Sequence, residues 1–148
     1  MKEIDADIWS FQRDGFFIVI PTNGTIKQNG EAVMGRGLAL QAKLKYPLLP
    51  TLLGDRLLNY GNHVYEFSQY NIITFPVKHD WMNDADLMLI TKSVDELKVL
   101  HEQRPTKIFT HIYIPRVGCG NGRLQWQRVQ PILERLDEQF FSLVHKGG

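Results

Sequence analysis

One cysteine, Cys119, is present in 148 residues, which excludes an internal disulfide framework and any zinc site built on several thiolates. Long apolar runs are also missing: no stretch approaches the roughly 20 residues that span a bilayer. The segment from Met1 to Phe11 is acidic and interrupted, without the apolar core of a secretory signal, so a soluble, cytoplasmic protein is the expectation. Nor is one charge in excess. Lys and Arg number 17 against 16 Asp and Glu, a formal net charge of +1, whereas proteins that hold duplex DNA through many phosphates carry a strongly basic face. That balance still admits a small basic cleft for one or two phosphates. The sequence has no repeat, low-complexity tract or linker-like Pro/Gly/Ser run. A single domain over residues 1–148 is therefore expected. The histidines lack metal-ligand spacing, and neither a metal nor a cofactor is expected.

What is there alternates between short apolar runs and amphipathic stretches, the pattern of an α/β fold. Phe16-Phe17-Ile18-Val19-Ile20 is a continuous apolar run stopped by Pro21 and reads as a buried strand. Leu38, Ala39, Ala42 and Tyr46 mark a helix over Gly37–Tyr46 that Pro47 ends. Segments near His63–Phe67 and Asn71–Pro76 are spaced to pair as a hairpin. Asp86–Thr91 reads as a strand, followed by a helix that Ser93 and Glu96 open as a capping box, with Val94, Leu97 and Leu100 as its apolar stripe. Lys107–Pro115 is expected to be a strand with Ile108, Ile112 and Ile114 on one face. Val129, Ile132, Leu133, Leu136 and Phe140 recur at helical spacing, and Pro131 requires that helix to start close to Gln127. Phe140–Val144 forms a last strand. The expected architecture is a mixed sheet with helices on both faces.

Two glycine clusters stand out. Asn29 to Gly37 and Gly118 to Gly122 each lie between a buried strand and a helix start, where backbone N–H groups and a positive helix end meet an anion. One such loop arises as readily for steric reasons. Two, after strands able to lie side by side, point to a shared crevice at the strand C-termini. The phosphate loop that needs Lys then Ser/Thr after its last glycine is excluded, because Arg36 and Gly37 occupy those places. The G-x-G-x-x-G dinucleotide pattern fails at both clusters.

Three segments taken together resemble the macrodomain signature: Ile18-Val19-Ile20-Pro21-Thr22-Asn23, Met34-Gly35-Arg36-Gly37-Leu38-Ala39, and Pro115-Arg116-Val117-Gly118-Cys119-Gly120-Asn121-Gly122. The resemblance runs in order from Asp7-Ile8 to the last strand. It implies a three-layer α/β/α fold with a mixed central sheet and a site for ADP-ribose. Within that family the chain looks like the branch of DNA ADP-ribosyl glycohydrolase antitoxins and terminal ADP-ribose protein glycohydrolases. Phe75-Pro76-Val77-Lys78-His79-Asp80-Trp81 resembles the antitoxin segment whose lysine is catalytic, and Gly118 to Trp126 is similar to both groups.

The resemblance implies a role for each matched position. Asp7 and Ile8 match the adenine contact, and Asn23 the contact to the distal ribose, beside the scissile bond. Met34, Gly35, Arg36 and Gly37 match the first phosphate loop; Pro115, Gly118, Cys119, Gly120, Asn121 and Gly122 match the second. Lys78 matches the catalytic lysine, and Asn23 is grouped with it. Two departures are expected to matter: Gly122 stands where protein-directed relatives carry an aspartate, and Thr25 to Glu31 lengthen the first loop. The implied partner is ADP-ribose or an ADP-ribosylated target such as DNA, with no membrane partner. A reader that binds without cleaving, or a phosphatase acting on ADP-ribose 1″-phosphate, are the alternatives.

Plain structural roles compete at each position. Lys78 can be an exposed lysine at a strand end, Asn23 a turn former, and Asp7 a surface carboxylate. Cys119 reads as a packing residue, since no base adjoins it in sequence. Trp81 and Trp126 either pack or roof the cleft. Arg116, Arg123 and Arg128 cluster around the second loop and either meet phosphate or stay solvated.

Overall fold

The computed structural model describes residues 1–104 and 111–147. Its strands are β1 (Glu3–Ile4), β2 (Phe17–Thr22), β3 (Tyr65–Phe67), β4 (Ile72–Pro76), β5 (Ile112–Ile114) and β6 (Phe141–Val144). They form one sheet in the order β1-β6-β5-β2-β4-β3. Neighbours run parallel except β3 and β4, which pair as the expected hairpin. The helices are α1 (Ile8–Arg13), α2 (Gly37–Lys45), α3 (Leu49–Tyr60), α4 (Leu87–Glu102) and α5 (Trp126–Leu133).

Alternation along β2 builds two cores from one strand. Ile18 and Ile20 pack with Trp9, Ala42 and Leu53 from α1, α2 and α3 on one face of the sheet. Val19 packs with Ile90, Leu97 and Val129 from α4 and α5 on the other. A strand buried on both faces must be apolar throughout, which is why its sequence reads as a run. Each such fully buried side chain contributes about 1.5–3 kcal/mol. This is the three-layer α/β/α arrangement that the resemblance implied.

Pro21 does not stop β2. The strand continues to Thr22, with Pro21 opposite Phe75 and Thr22 opposite Pro76. Pairing to β5 on the other side covers Phe17 and Ile18. The proline therefore falls where that ladder has already ended, and its missing N–H breaks nothing.

Three expectations are corrected. Asp86–Thr91 is the start of α4, not a strand; a short apolar run has no period long enough to separate the two. Asp86 is the N-cap, its carboxylate accepting the Met88 N–H at 2.9 Å. Ser93 and Glu96 form no capping box. Ser93 is buried inside α4 and donates to the Pro76 carbonyl at 2.7 Å. Glu96 reaches across to the His63 ring at 2.7 Å and the Val64 N–H at 3.0 Å.

The third correction concerns the extent of α5: it begins at Trp126, beside the expected start, but carries Pro131 in its second turn and does not run on to Leu136 and Phe140. Pro131 offers no N–H to the carbonyl one turn back, and the helix ends at Leu133. Leu136 reaches the core through a tight turn beyond it, its N–H bonded to the Leu133 carbonyl at 3.0 Å. Helix α3 was not anticipated at all. In the expected strand Lys107–Pro115, Ile112 and Ile114 share the core against α4 and α5, while 107–110, with Ile108, lie outside the described residues. Among the described residues no helix is long and apolar enough to cross a membrane.

Candidate functional site

Three parallel strands, β4, β2 and β5, end on the same edge of the sheet, and a cleft of about 600 Å³ opens there. This is where open α/β sheets hold ligands. Asn23 follows β2, Lys78 follows β4 and Pro115 follows β5, and all three line the cleft. The Val77 N–H bonds to the Thr22 carbonyl at 2.9 Å, so the chain leaves β4 still tied to β2.

Both glycine loops reach the cleft. Gly35, Arg36 and Gly37 line one side, and Gly118, Gly120, Asn121 and Gly122 the other. They meet where a Cβ placed on Gly37 would lie 3.3 Å from the Asn121 side-chain amide. Helix α2 begins at Gly37 with no side chain capping it. The N–H groups of its first turn, which have no partner within the helix, thus stay free for an anion.

The second loop distinguishes two uses of glycine. Gly118 has φ +76°, and a Cβ there would meet Ile90 at 2.8 Å. A Cβ on Gly122 would collide with the Gly118 carbonyl oxygen. Those two positions are fixed by close packing within the loop and against Ala85 and Ile90. Gly35 and Gly120 have nothing within 4 Å of a Cβ, so their backbones are bare toward open space.

Lys78 is half-buried, and its ammonium donates to the Trp81 carbonyl at 3.4 Å. Burial pushes its pKa below the ordinary lysine value. The positive charges of Arg36 and Arg123 push the same way, and Asp84 opposes them. The Asn23 side chain is committed at both ends: its N–H₂ donates to the Val33 carbonyl at 3.0 Å and its oxygen accepts the Thr25 N–H at 2.9 Å. It is thus the turn former that the alternative reading described, while facing the cleft.

The lengthened first loop is an ordered hairpin. Ile26 bridges Ala32, the Lys27 N–H bonds to the Glu31 carbonyl at 2.8 Å, and the Gly30 N–H to the Lys27 carbonyl at 2.9 Å. It lies on α3 at Gly54, where any Cβ would collide with the Gly30 carbonyl oxygen. The hairpin brings Lys27 into the cleft wall, a position the sequence reading missed. Trp81 lines the same end and is 45% exposed.

Other matched positions lie outside the cleft lining. Asp7 caps α1, accepting the Trp9 N–H at 3.1 Å, and Ile8 is buried beside it. Met34 is buried in the core against α3. The Cys119 thiol contacts the Val117 carbonyl at 3.5 Å, and burial raises its pKa, which suits packing rather than nucleophilic attack. Arg116 lines the cleft but makes two 2.7 Å bonds to the Glu3 carboxylate and lies over the Trp126 ring. Its charge is therefore largely matched already. Arg128 is exposed and away from the cleft.

No family model matches the chain. Among known proteins it is 30% identical to the DNA ADP-ribosyl glycohydrolase of Mycobacterium tuberculosis, over 78% of this chain and 34% of that protein. The chain thus spans about a third of the length of the curated relatives it matches. The solved macrodomain of Mycobacterium tuberculosis DarG superposes with a TM-score of 0.70 at 25% identity, covering 88% of each chain. Thermosipho africanus DarTG, solved in complex with ADP-ribose, superposes with a TM-score of 0.73 over 96% of this chain and 40% of that one, at 18% identity.

Proposed function

Because this chain is a macrodomain, we propose that it binds ADP-ribose in the cleft at the ends of β2, β4 and β5 and removes it from a nucleobase of DNA. The observation that carries this reading is Lys78: a half-buried amine in the cleft wall whose pKa is lowered by burial and by neighbouring arginines. The bare backbones of Gly35 and Gly120, with the uncapped start of α2, suit a pyrophosphate.

The chemistry assigned to Lys78 is nucleophilic. The neutral amine attacks the anomeric carbon of the distal ribose. A carbon–nitrogen bond to lysine forms as the bond to the nucleobase breaks, and the departing base takes up the proton that the amine gives up. Water then displaces the lysine and releases free ADP-ribose. Asn23, at the end of the neighbouring strand β2, orients the ribose. Gly122 supports a nucleobase rather than a protein carboxylate as the leaving partner, because the packing around it leaves no space for an acidic side chain at that position.

The test is release of ADP-ribose from an ADP-ribosylated oligonucleotide. Lys78→Ala is expected to lose at least about a hundredfold in rate, a modest loss for a group acting on the reacting bond, while still binding ADP-ribose in a calorimetric titration. Undiminished turnover would eliminate the lysine mechanism. The engagement of both ends of the Asn23 amide within its own loop favours a second reading, a reader that holds ADP-ribose without cleaving it. Tight ADP-ribose binding with intact modified DNA would select that reading.

A further inference from the structure

The mouth of the cleft beside Lys78 carries an exposed aromatic ring and, among the described residues, an unpaired cation. Trp81 presents an indole that is 45% exposed, and the adjoining Met82 is 72% exposed. Tryptophan is ordinarily far better covered. The ring is also anchored through its backbone. The Trp81 N–H bonds to the Thr25 hydroxyl at 3.0 Å, and its carbonyl accepts the Lys78 ammonium at 3.4 Å. Across the same end stands Lys27, raised on the Ile26–Ala32 hairpin. Among the described residues neither Lys27 nor Arg36 is paired with a carboxylate.

We propose that Trp81 and Lys27 form a rim that takes the single-stranded nucleic acid next to the modified base, one neighbouring base stacking on the indole and a phosphate meeting the Lys27 ammonium. This rests on the reading of the chain as acting on ADP-ribosylated DNA. The face of any base fits an indole, and an unmatched ammonium is the partner a backbone phosphate needs. A polypeptide offers neither in a fixed repeat. A near-neutral chain does not favour a broad grip on a duplex, but one stacking platform and one cation suffice to seat a short single strand whose modified base has left its stack.

The probe is an unmodified, labelled single strand of mixed sequence titrated with the full chain by fluorescence anisotropy at several salt concentrations. Wild type is expected to bind, Trp81→Leu to bind about tenfold more weakly, and Trp81→Phe to recover most of the loss. Lys27→Ala is expected to flatten the slope of log affinity against log salt by about 0.7, the share of one phosphate on a single strand. The ratio of kcat/KM for a modified oligonucleotide over a modified nucleoside should fall toward one in Trp81→Leu. The unmodified strand carries no ADP-ribose, so a failure of the lysine mechanism leaves this measurement standing. Equal affinity of wild type and Trp81→Leu, or no binding by wild type, overturns the rim whatever the hydrolysis assay returns.

Discussion

The Thr25 hydroxyl accepts the backbone N–H of Trp81 at 3.0 Å, joining the loop after β2 to the loop after β4. Beside it, Gly24 approaches so closely that a Cβ would lie 2.8 Å from the His79 carbonyl. The wall that carries Lys78 is thus shaped partly by the loop that carries Asn23. Thr25→Val keeps the shape and removes the acceptor. Expected are a loss of about 0.5–1.5 kcal/mol in stability, faster hydrogen exchange at the Trp81 amide, and a drop in kcat with little change in ADP-ribose affinity. Exchange at wild-type rate would show that the bond contributes nothing to holding the wall.

The charges around Lys78 set the direction of a pH response. If the neutral amine reacts, kcat/KM rises with pH, and the midpoint of the rise lies below about 10.4, the ordinary lysine value. Arg36 lowers the lysine pKa and Asp84 raises it. Arg36→Ala should therefore move the profile to higher pH, and Asp84→Asn should move it to lower pH. Profiles for the two variants that shift the same way would contradict this assignment.

Asp86 makes two bonds at once. One oxygen caps α4 and the other meets the His79 ring at 2.8 Å. The His79 hydrogen bond, with the Met88 N–H, holds its carboxyl below the ordinary aspartate value. Such a group stabilises the fold fully above its unfolded pKa of about 3.9 and loses that contribution as pH falls through the lower folded value. Asp86→Ala should cost about 0.5–2 kcal/mol near neutrality, the usual worth of an N-cap. The difference from wild type should shrink in urea melts taken below about pH 4.

Gly122 and Gly54 are both filled by a neighbour's backbone. Gly122→Ala pushes against the Gly118 carbonyl and is expected to cost about 1–3 kcal/mol, together with most of the affinity for ADP-ribose. Gly54→Ala is the sharper case. Alanine is favoured over glycine in a helix by about 1 kcal/mol, yet its methyl would collide with the Gly30 carbonyl. Overpacking outweighs propensity here, so the hairpin should lift from α3. Increased exchange at the Gly30 amide, with a net loss of stability, is the expected readout.

Much of the cleft lining is legible in the sequence because its parts are local. The strand–loop–glycine pattern around Asn23, Gly35–Gly37 and Gly118–Gly122 depends on φ angles and close approach, which glycine states directly in sequence. Lys78 was legible through its neighbours in a recognisable segment. What escaped depends on distant contacts. Lys27 enters the cleft only because the hairpin rests on Gly54, a residue on another element. Helix α3 was hidden by Pro50 in its first turn and Gly54 in its middle, although Leu49, Leu53 and Leu57 recur every fourth residue and all three are buried. Ser93 and Glu96 imitate a helix start perfectly well by spacing. Their partners, Pro76 and the His63–Val64 segment, lie on β4 and in the approach to β3, which spacing cannot show.

The segment carrying Lys78 leaves the sheet and returns to nearly the same point, because the Asp86 N–H bonds back to the Val77 carbonyl at 2.9 Å. Its two ends are closed on each other before α4 begins. Residues 78–85 thus form a closed excursion, tied to its surroundings through the Trp81 N–H to Thr25, the Lys78 carbonyl to Asn62 and the Ala85 N–H to Gly122. Its exposed middle, at Trp81 and Met82, is where new rims can be traded, whereas its last residue, Ala85, is a strut of the second glycine loop and must stay small.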